Sequence, residues 1–170
     1  EAPALLTAAG AGEKITHYAG RYQVPFDEET EKAVRNAQRV IEDSHDVSYE
    51  MILDSGVDVV IGTDIAAGID LNALAQRLER AGVKMLTVSG YCAGFEDRST
   101  SGVSGFDQIY KDVESYGKLF GTEDHAAQSV KDMRARVDAT AKRVAQQEEQ
   151  RGLPLYVPTA GTLGSYGHES

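Results

Sequence analysis

The stretch Ser48-Tyr-Glu-Met-Ile-Leu-Asp-Ser-Gly-Val-Asp-Val-Val-Ile-Gly-Thr-Asp64 decides the fold. Ser48 suits a helix N-cap, because its hydroxyl can accept from an orphan amide of the first turn, and Gly56 suits the left-handed residue that ends a helix. Val57, Val59, Val60 and Ile61, interrupted only by Asp58, form a β-branched run bounded by Gly56 and Gly62. Such a run predicts a strand covered on both faces.

Working outward, Leu71, Leu74, Ala75 and Leu78 fall at helical spacing between Asp70 and Ala81, Gly82 is a stop signal, and Val83 to Val88 reads as a second buried strand. Strand, helix and strand within about 30 residues is the size of a βαβ unit, whose crossover is right-handed almost without exception. The spacing therefore predicts an α/β fold with a parallel, Rossmann-like sheet.

The flanking segments fit that class. Pro3 to Ala9 reads as a helix ending at Gly10 or Gly12, and Lys14 to Tyr18 as a short strand. Asp27 to Gln38 is a polar helix opened by Asp27, Glu28 and Glu29, whose charges favour a helix N-terminus. From Ser104, taken as an N-cap, Phe106, Ile109, Tyr110, Val113, Tyr116 and Phe120 make one apolar face, closed by Gly121. From Glu123 to Gln150 nothing breaks a helix, and Val130, Met133, Val137, Ala141 and Val144 recur at three or four residues. At 1.5 Å per residue this is a rod of roughly 40 Å, longer than one lobe needs, so it is expected to span two lobes. Leu153, Leu155, Tyr156 and Val157 then read as a strand, followed by a Gly- and Ser-rich tail from Thr159 to Ser170.

Composition bounds the function. The 170 residues are 41% hydrophobic, enough for a real core, and the net charge of −10 would repel a polyphosphate backbone, so no nucleic-acid partner is expected. Cys92 is the single cysteine, which excludes an internal disulfide and leaves too few thiols for a structural zinc site. No stretch reaches the roughly 20 apolar residues of a membrane helix, and no basic n-region with an apolar h-region opens the chain. The expectation is a soluble chain from which any export signal has gone.

The helix at Ser48, the Val-Asp-Val-Val-Ile-Gly strand, the crossover, the Gly-Val-Lys-Met-Leu-Thr-Val strand and the long helix, in that order and spacing, resemble the N-terminal lobe of extracytoplasmic substrate-binding proteins. These are the proteins that feed ferric-siderophore, haem and cobalamin ABC importers. The resemblance covers essentially all 170 residues and implies an N-terminal α/β lobe over 1–121, a connecting helix over 122–151, and the first strand and ligand loop of a truncated C-terminal lobe over 152–170. Family members open with a strand before the helix that begins here near Glu1, so the resemblance implies either a fragment or a protein whose second lobe is not included in this chain. It implies capture of a ferric-siderophore-type metal chelate outside the cytoplasm, in a periplasm or on a cell-surface lipoprotein, and delivery to ABC permease subunits. Haem and cobalamin are the alternatives within the same class. The chelate is cargo, and neither a resident cofactor nor a catalytic residue is expected.

Ligands of open α/β sheets settle at the carboxyl ends of the strands. Four segments qualify: Gly20 to Phe26, Gly62 to Gly68, Ser89 to Gly105, and Thr159 to His168. In the first, Tyr22 matches a ligand-contacting aromatic of the family, and the planar fork of Arg21 suits anionic oxygens, though a solvated loop arginine beside a core-edge tyrosine fits equally. In the second, Thr63 and Asp64 can hydrogen-bond a polar ligand, or Asp64 can cap the next turn. The third offers Tyr91, Phe95 and Arg98, able to stack on a planar chelate and neutralise it, or to anchor the loop. In the tail, Tyr166 and His168 can ligate iron, although a terminal histidine is often idle. His17, His45 and His125 show no spacing with carboxylates that suggests a metal site. Glu50 matches the surface glutamate that, in the family, docks into an arginine pocket of the permease; favourable charge near a helix N-terminus is its other explanation.

Two other classes compete. An enzyme on this fold needs a phosphate loop or an activated nucleophile, and Gly10-Ala-Gly-Glu-Lys-Ile lacks the third glycine of a dinucleotide fingerprint, while no Gly-Lys-Ser, Gly-Lys-Thr or Gly-x-Ser-x-Gly motif occurs. A pure interaction domain would be marked by an exposed apolar patch in place of a polar cleft.

Overall fold

The computed structural model describes residues 2–21, 25–62, 71–88, 105–146, 157–159 and 162–164. In chain order these form α1 (Ala2–Ala8), β1 (His17–Ala19), α2 (Glu28–Asn36), β2 (Gln38–Ile41), α3 (Tyr49–Asp54), β3 (Val59–Gly62), α4 (Leu71–Arg80), β4 (Lys84–Thr87), α5 (Phe106–Phe120), α6 (Glu123–Ala145), β5 (Val157–Thr159) and β6 (Thr162–Gly164). Single 3-10 turns occur at Gly12–Lys14 and Ser44–Asp46.

The decisive unit forms as its sequence dictates. Ser48 Oγ accepts from the Met51 amide at 3.2 Å, and Gly56 takes φ 66° at the end of α3. β3 and β4 pair in parallel, from Val59 opposite Lys84 to Gly62 opposite Thr87, with α4 as the crossover. Successive strand side chains point to opposite faces. Val60 and Met85 accordingly pack on Ile52, Leu74, Leu78 and Val83 of the α3–α4 side, whereas Ile61 and Leu86 pack on the α1–α5–α6 side. Helices thus cover the ladder on both faces, although Val59, Val60 and Ile61 are half-buried and only Gly62 is fully enclosed, because the ladder is four residues long.

The larger core joins α1, α5 and α6 through Leu6, Ala9, Ala11, Tyr110, Val113, Tyr116, Ala126 and Val130. Gly117 lets α5 and α6 approach closely, since a Cβ there would lie 2.5 Å from the Ala126 Cβ. Gly121, at φ 71°, turns the chain between them, and Thr122 Oγ1 donates to the Ala9 carbonyl at 2.6 Å, tying the start of α6 to the end of α1.

Several boundaries differ from the sequence expectations. The segment read as a strand from Lys14 begins as a 3-10 turn, and the strand starts at His17. The helix expected over Asp27 to Gln38 stops at Asn36, and Gln38–Ile41 forms β2, paired in parallel with β1. At α5 the N-cap is Gly105 with no side-chain cap, in place of Ser104, which lies outside the described residues. Of its expected apolar face, Phe106 and Ile109 are exposed at 58% and 40%. The long helix is unbroken but ends at Ala145, about 34 Å along its axis. Its cover ends sooner: Ala126 and Val130 are buried, Met133 and Val137 half-buried, and 138–146 exposed, so no packing among the described residues holds the last turns. Residues 147–156, including most of the strand expected from Leu153, lie outside the described residues. Val157–Thr159, which begins at the last residue of the expected strand, pairs as an antiparallel ladder with Thr162–Gly164 of the tail read as a ligand loop.

Two outcomes follow for stability. Replacing Gly117 by Ala gains about 1 kcal/mol of helix propensity, but overpacking costs about 1–3 kcal/mol, so urea unfolding should show Gly117→Ala to be net destabilised. Asp27 caps α2 by accepting the Thr30 amide at 2.9 Å and the Thr30 hydroxyl at 3.1 Å. The amide bond is the chief cause holding its carboxyl below the ordinary 3.8. A pKa lowered on folding adds stability that is complete above the unfolded value and is lost as pH falls through the folded one. Asp27→Ala should therefore lose about 1 kcal/mol at neutral pH, with the difference from the parent shrinking below pH 3.8 in the same unfolding assay.

Candidate functional site

The parallel pairs set which loops gather at carboxyl ends of strands. After β1 comes Gly20, whose amide donates to the Ile41 carbonyl at 3.0 Å and whose φ is 95°. A Cβ there would sit 3.3 Å from the Ser44 Cβ, so the loops after β1 and β2 lie in direct contact. This approach brings Arg21 to Glu42: Nη2 stands 2.5 Å from Oε1. Arg39 Nη1 reaches the same oxygen at 4.0 Å.

Beside them the Asp43 carboxylate accepts the His45 amide at 3.0 Å and the His45 Nδ1–H at 2.9 Å, closing the 3-10 turn. The His45 amide, then its ring, hold the Asp43 carboxyl below the ordinary range, and Arg21 adds a smaller pull. Arg21 and Glu42 are 63% and 55% exposed, so the charges face solvent and are screened by it. The arrangement presents two guanidiniums, one shared carboxylate and an anchored Asp–His pair at one rim. It can receive an anionic, oxygen-rich solute.

Of the residues expected from sequence to bind ligand, only Arg21 falls among those described. Tyr22, Thr63, Asp64, Tyr91, Phe95, Arg98, Tyr166 and His168 lie outside the described residues. Glu50, expected at a docking surface, is exposed on α3; its Oε1 stands 3.8 Å from Arg77 Nη2, and the Arg77 guanidinium stacks 4.1 Å above the Tyr49 ring. Sequence reasoning misses Glu42 and Arg39, because the helix expected to Gln38 takes in the first residue of β2 and residues 39–41 are assigned to no element. The signal was there in Val40 and Ile41, a β-branched pair followed by the turn-forming Asp43 and Ser44.

A separate open groove of about 350 Å³ lies between the start of α5 and the middle of α6, lined by Phe106, Asp107, Tyr110, Arg134 and Val137 among others. Its cation is already engaged, with Arg134 stacked 4.2 Å over Tyr110 and paired with Asp107 at 3.0 Å. Among the described residues, no group of three His, Cys, Asp or Glu is placed to hold a metal ion, and no helix is long and apolar enough to cross a membrane.

Neither the protein-family models nor the curated proteins compared with the chain match it. Solved structures do. A possible iron-binding, periplasmic solute-binding protein from Staphylococcus epidermidis superposes with a TM-score of 0.68 at 17% identity, over 99% of this chain and 58% of that one. A periplasmic binding protein from Veillonella parvula gives 0.72 at 14% identity, over 95% of this chain and 50% of that one. A periplasmic heme-binding protein from Pseudomonas aeruginosa gives 0.57 at 19% identity, over 84% and 43%. The chain thus spans about half the length of the structures it matches. What these likenesses carry is the architecture: the chain has the α/β lobe fold of the periplasmic binding proteins.

Proposed function

We propose that this chain is the N-terminal lobe, connecting helix and opening of the second lobe of an extracytoplasmic binding protein that captures a ferric-siderophore-type chelate for an ABC importer. Its role is binding and delivery, without catalysis. The observation that carries the reading is the shared fold with three binding-protein structures, combined with Arg21 just past the carboxyl end of β1 and Arg39, on the paired strand β2, within 4.0 Å of the same Glu42 oxygen. An anionic chelate matches two guanidiniums. In this reading Tyr22, Thr63, Asp64, Tyr91, Phe95 and Arg98 line the first lobe's share of the cleft, and Tyr166 and His168 face it from the second. The lobes divide at 1–121 and 152–170, with 122–151 joining them. Haem and cobalamin stand as the alternative cargoes of the same importer class.

Glu50 then serves as the contact with the permease subunits. It occupies the outward side of α3, opposite the buried Ile52, and a carboxylate there suits a cationic pocket. The location follows from the role: a periplasm, or the outer face of a cell as a lipoprotein.

Titration of the parent protein with ferric siderophores, haem and cobalamin, followed by tyrosine fluorescence from its 8 tyrosines and no tryptophan, tests the capture. Quenching by one of them is the expected result, and silence with all of them, together with turnover of any substrate, would overturn it. Tyr91→Ala or Arg98→Ala should weaken the chelate by about threefold to tenfold. Glu50→Ala should leave chelate affinity intact while lowering import by about tenfold. Unchanged affinity in the first two variants, or unchanged import in the third, would refute the corresponding assignment.

A further inference from the structure

Glu42 holds an unusual place for a carboxylate. It sits where the loops after β1 and β2 meet, and a single oxygen, Oε1, stands 2.5 Å from Arg21 Nη2 as a close ion pair and 4.0 Å from Arg39 Nη1 as a longer charge contact. A guanidinium fork is built to take two oxygens of one planar anion, so one guanidinium paired with a single oxygen and a second guanidinium 4.0 Å from it leave room for a larger anion. The backbone around it is fixed without Glu42: Gly20 bonds Ile41 and abuts Ser44, and Asp43 bonds His45 twice. All three side chains are about half exposed or more, at 63%, 47% and 55%, so a solute reaches them. The loops after parallel strands are where ligands of this architecture settle.

We propose that Glu42 is a resident counter-anion that the ligand's own anionic oxygens displace from Arg21 and Arg39, and that this exchange sets the protein's selectivity between anionic and neutral chelates. The inference rests on the capture reading above and adds the charge class of the ligand and the residue that gates it. With Glu42 in place, an anionic ligand must break the exposed pair and tolerate a displaced carboxylate nearby. A neutral ligand leaves the pair intact and meets no such penalty. The gate therefore acts on charged cargo alone, and its effect weakens with ionic strength because the pair faces solvent.

The test compares the parent with Glu42→Gln and with Arg21→Gln/Glu42→Gln, using ferric citrate and haem as carboxylate-bearing anionic probes, and a neutral ferric tris-hydroxamate and cobalamin as uncharged ones. Thermal melts of each variant establish that the lobe stays folded. Glu42→Gln is expected to tighten, or to create, binding of an anionic probe by about threefold to fivefold, to leave the neutral probes unchanged, and to lose its advantage at about 1 M salt. The gain should vanish in the double variant. Equal change for anionic and neutral probes, weaker binding of the anionic ones, or a gain that survives loss of Arg21 overturns the gate while leaving the capture reading standing. Silence from every probe with every folded variant overturns the capture reading, and the gate with it.

Discussion

Parallel pairing of β3 with β4 is the constraint on which the rest of the structure depends. It joins the carboxyl ends of the two strands, and it hands Val60 and Met85 to one helical layer and Ile61 and Leu86 to the other. Since both faces are apolar, the hydrophobic pattern alone pins the register weakly: a one-residue slip would exchange one apolar set for another. The ends of the ladder hold it instead. The Lys84 amide donates to the Asp58 carbonyl at 2.9 Å, the Val88 amide to the Gly62 carbonyl at 3.2 Å, and the Val83 amide back to Leu78 at 2.9 Å. Leu78 is fully buried, so the crossover helix cannot slide along the strands without opening the core it closes.

Buried area and exposed charge are divided between two parts of this scaffold. The α1–α5–α6 cluster carries the buried area, and Gly117 against Ala126 shows how closely two of its helices are fitted. At the carboxyl ends of β1 and β2 almost nothing is buried, and the side chains are positioned by short-range bonds instead: Gly20 to Ile41, Asp43 to His45, Arg21 to Glu42. Exposed ion pairs of this kind contribute at most about 1 kcal/mol each. A rim held this lightly can exchange its partners for those of a ligand without loss of the fold beneath it.

What the sequence makes legible follows the range of the interactions. Ser48, Asp27, Gly56, Gly82 and Gly121 mark helix ends through bonds or dihedrals local to each turn, and each stands at the end it predicts. The βαβ unit is legible too, because its periodicity changes from strand to helix and back within one short span. Gln38–Ile41 is not, since no glycine separates it from α2 and its first two residues suit a helix surface as well as a strand. Arg21 can be picked out as a cation after a strand. Its partner cannot, because Glu42 meets it only through the β1–β2 pairing, whose register shifts between Tyr18 and Ala19. The extent of cover on α6 is illegible for a similar reason: the apolar stripe continues to Val144, which is 63% exposed, although the packing stops near Val137.

The Glu50–Arg77 contact bears on docking in a way that magnitudes decide. At 3.8 Å, with side chains 72% and 55% exposed, the pair is worth at most about 1 kcal/mol, and the Arg77–Tyr49 stack about 0.5–1 kcal/mol at an exposed site. Close charge pairs desolvated in an interface can couple by about 1.5–7 kcal/mol. A desolvated cationic pocket would outcompete Arg77 for the carboxylate, so the intramolecular pair is no barrier to the docking proposed for Glu50. The position of Glu50 is set more firmly than its pairing. Ser48 caps the six-residue α3, and Ile52, 6% exposed, fixes its inner side, which leaves Glu50, Leu53 and Asp54 facing outward. The Glu50 carboxylate thus inherits its placement from the same small core that seats the crossover helix.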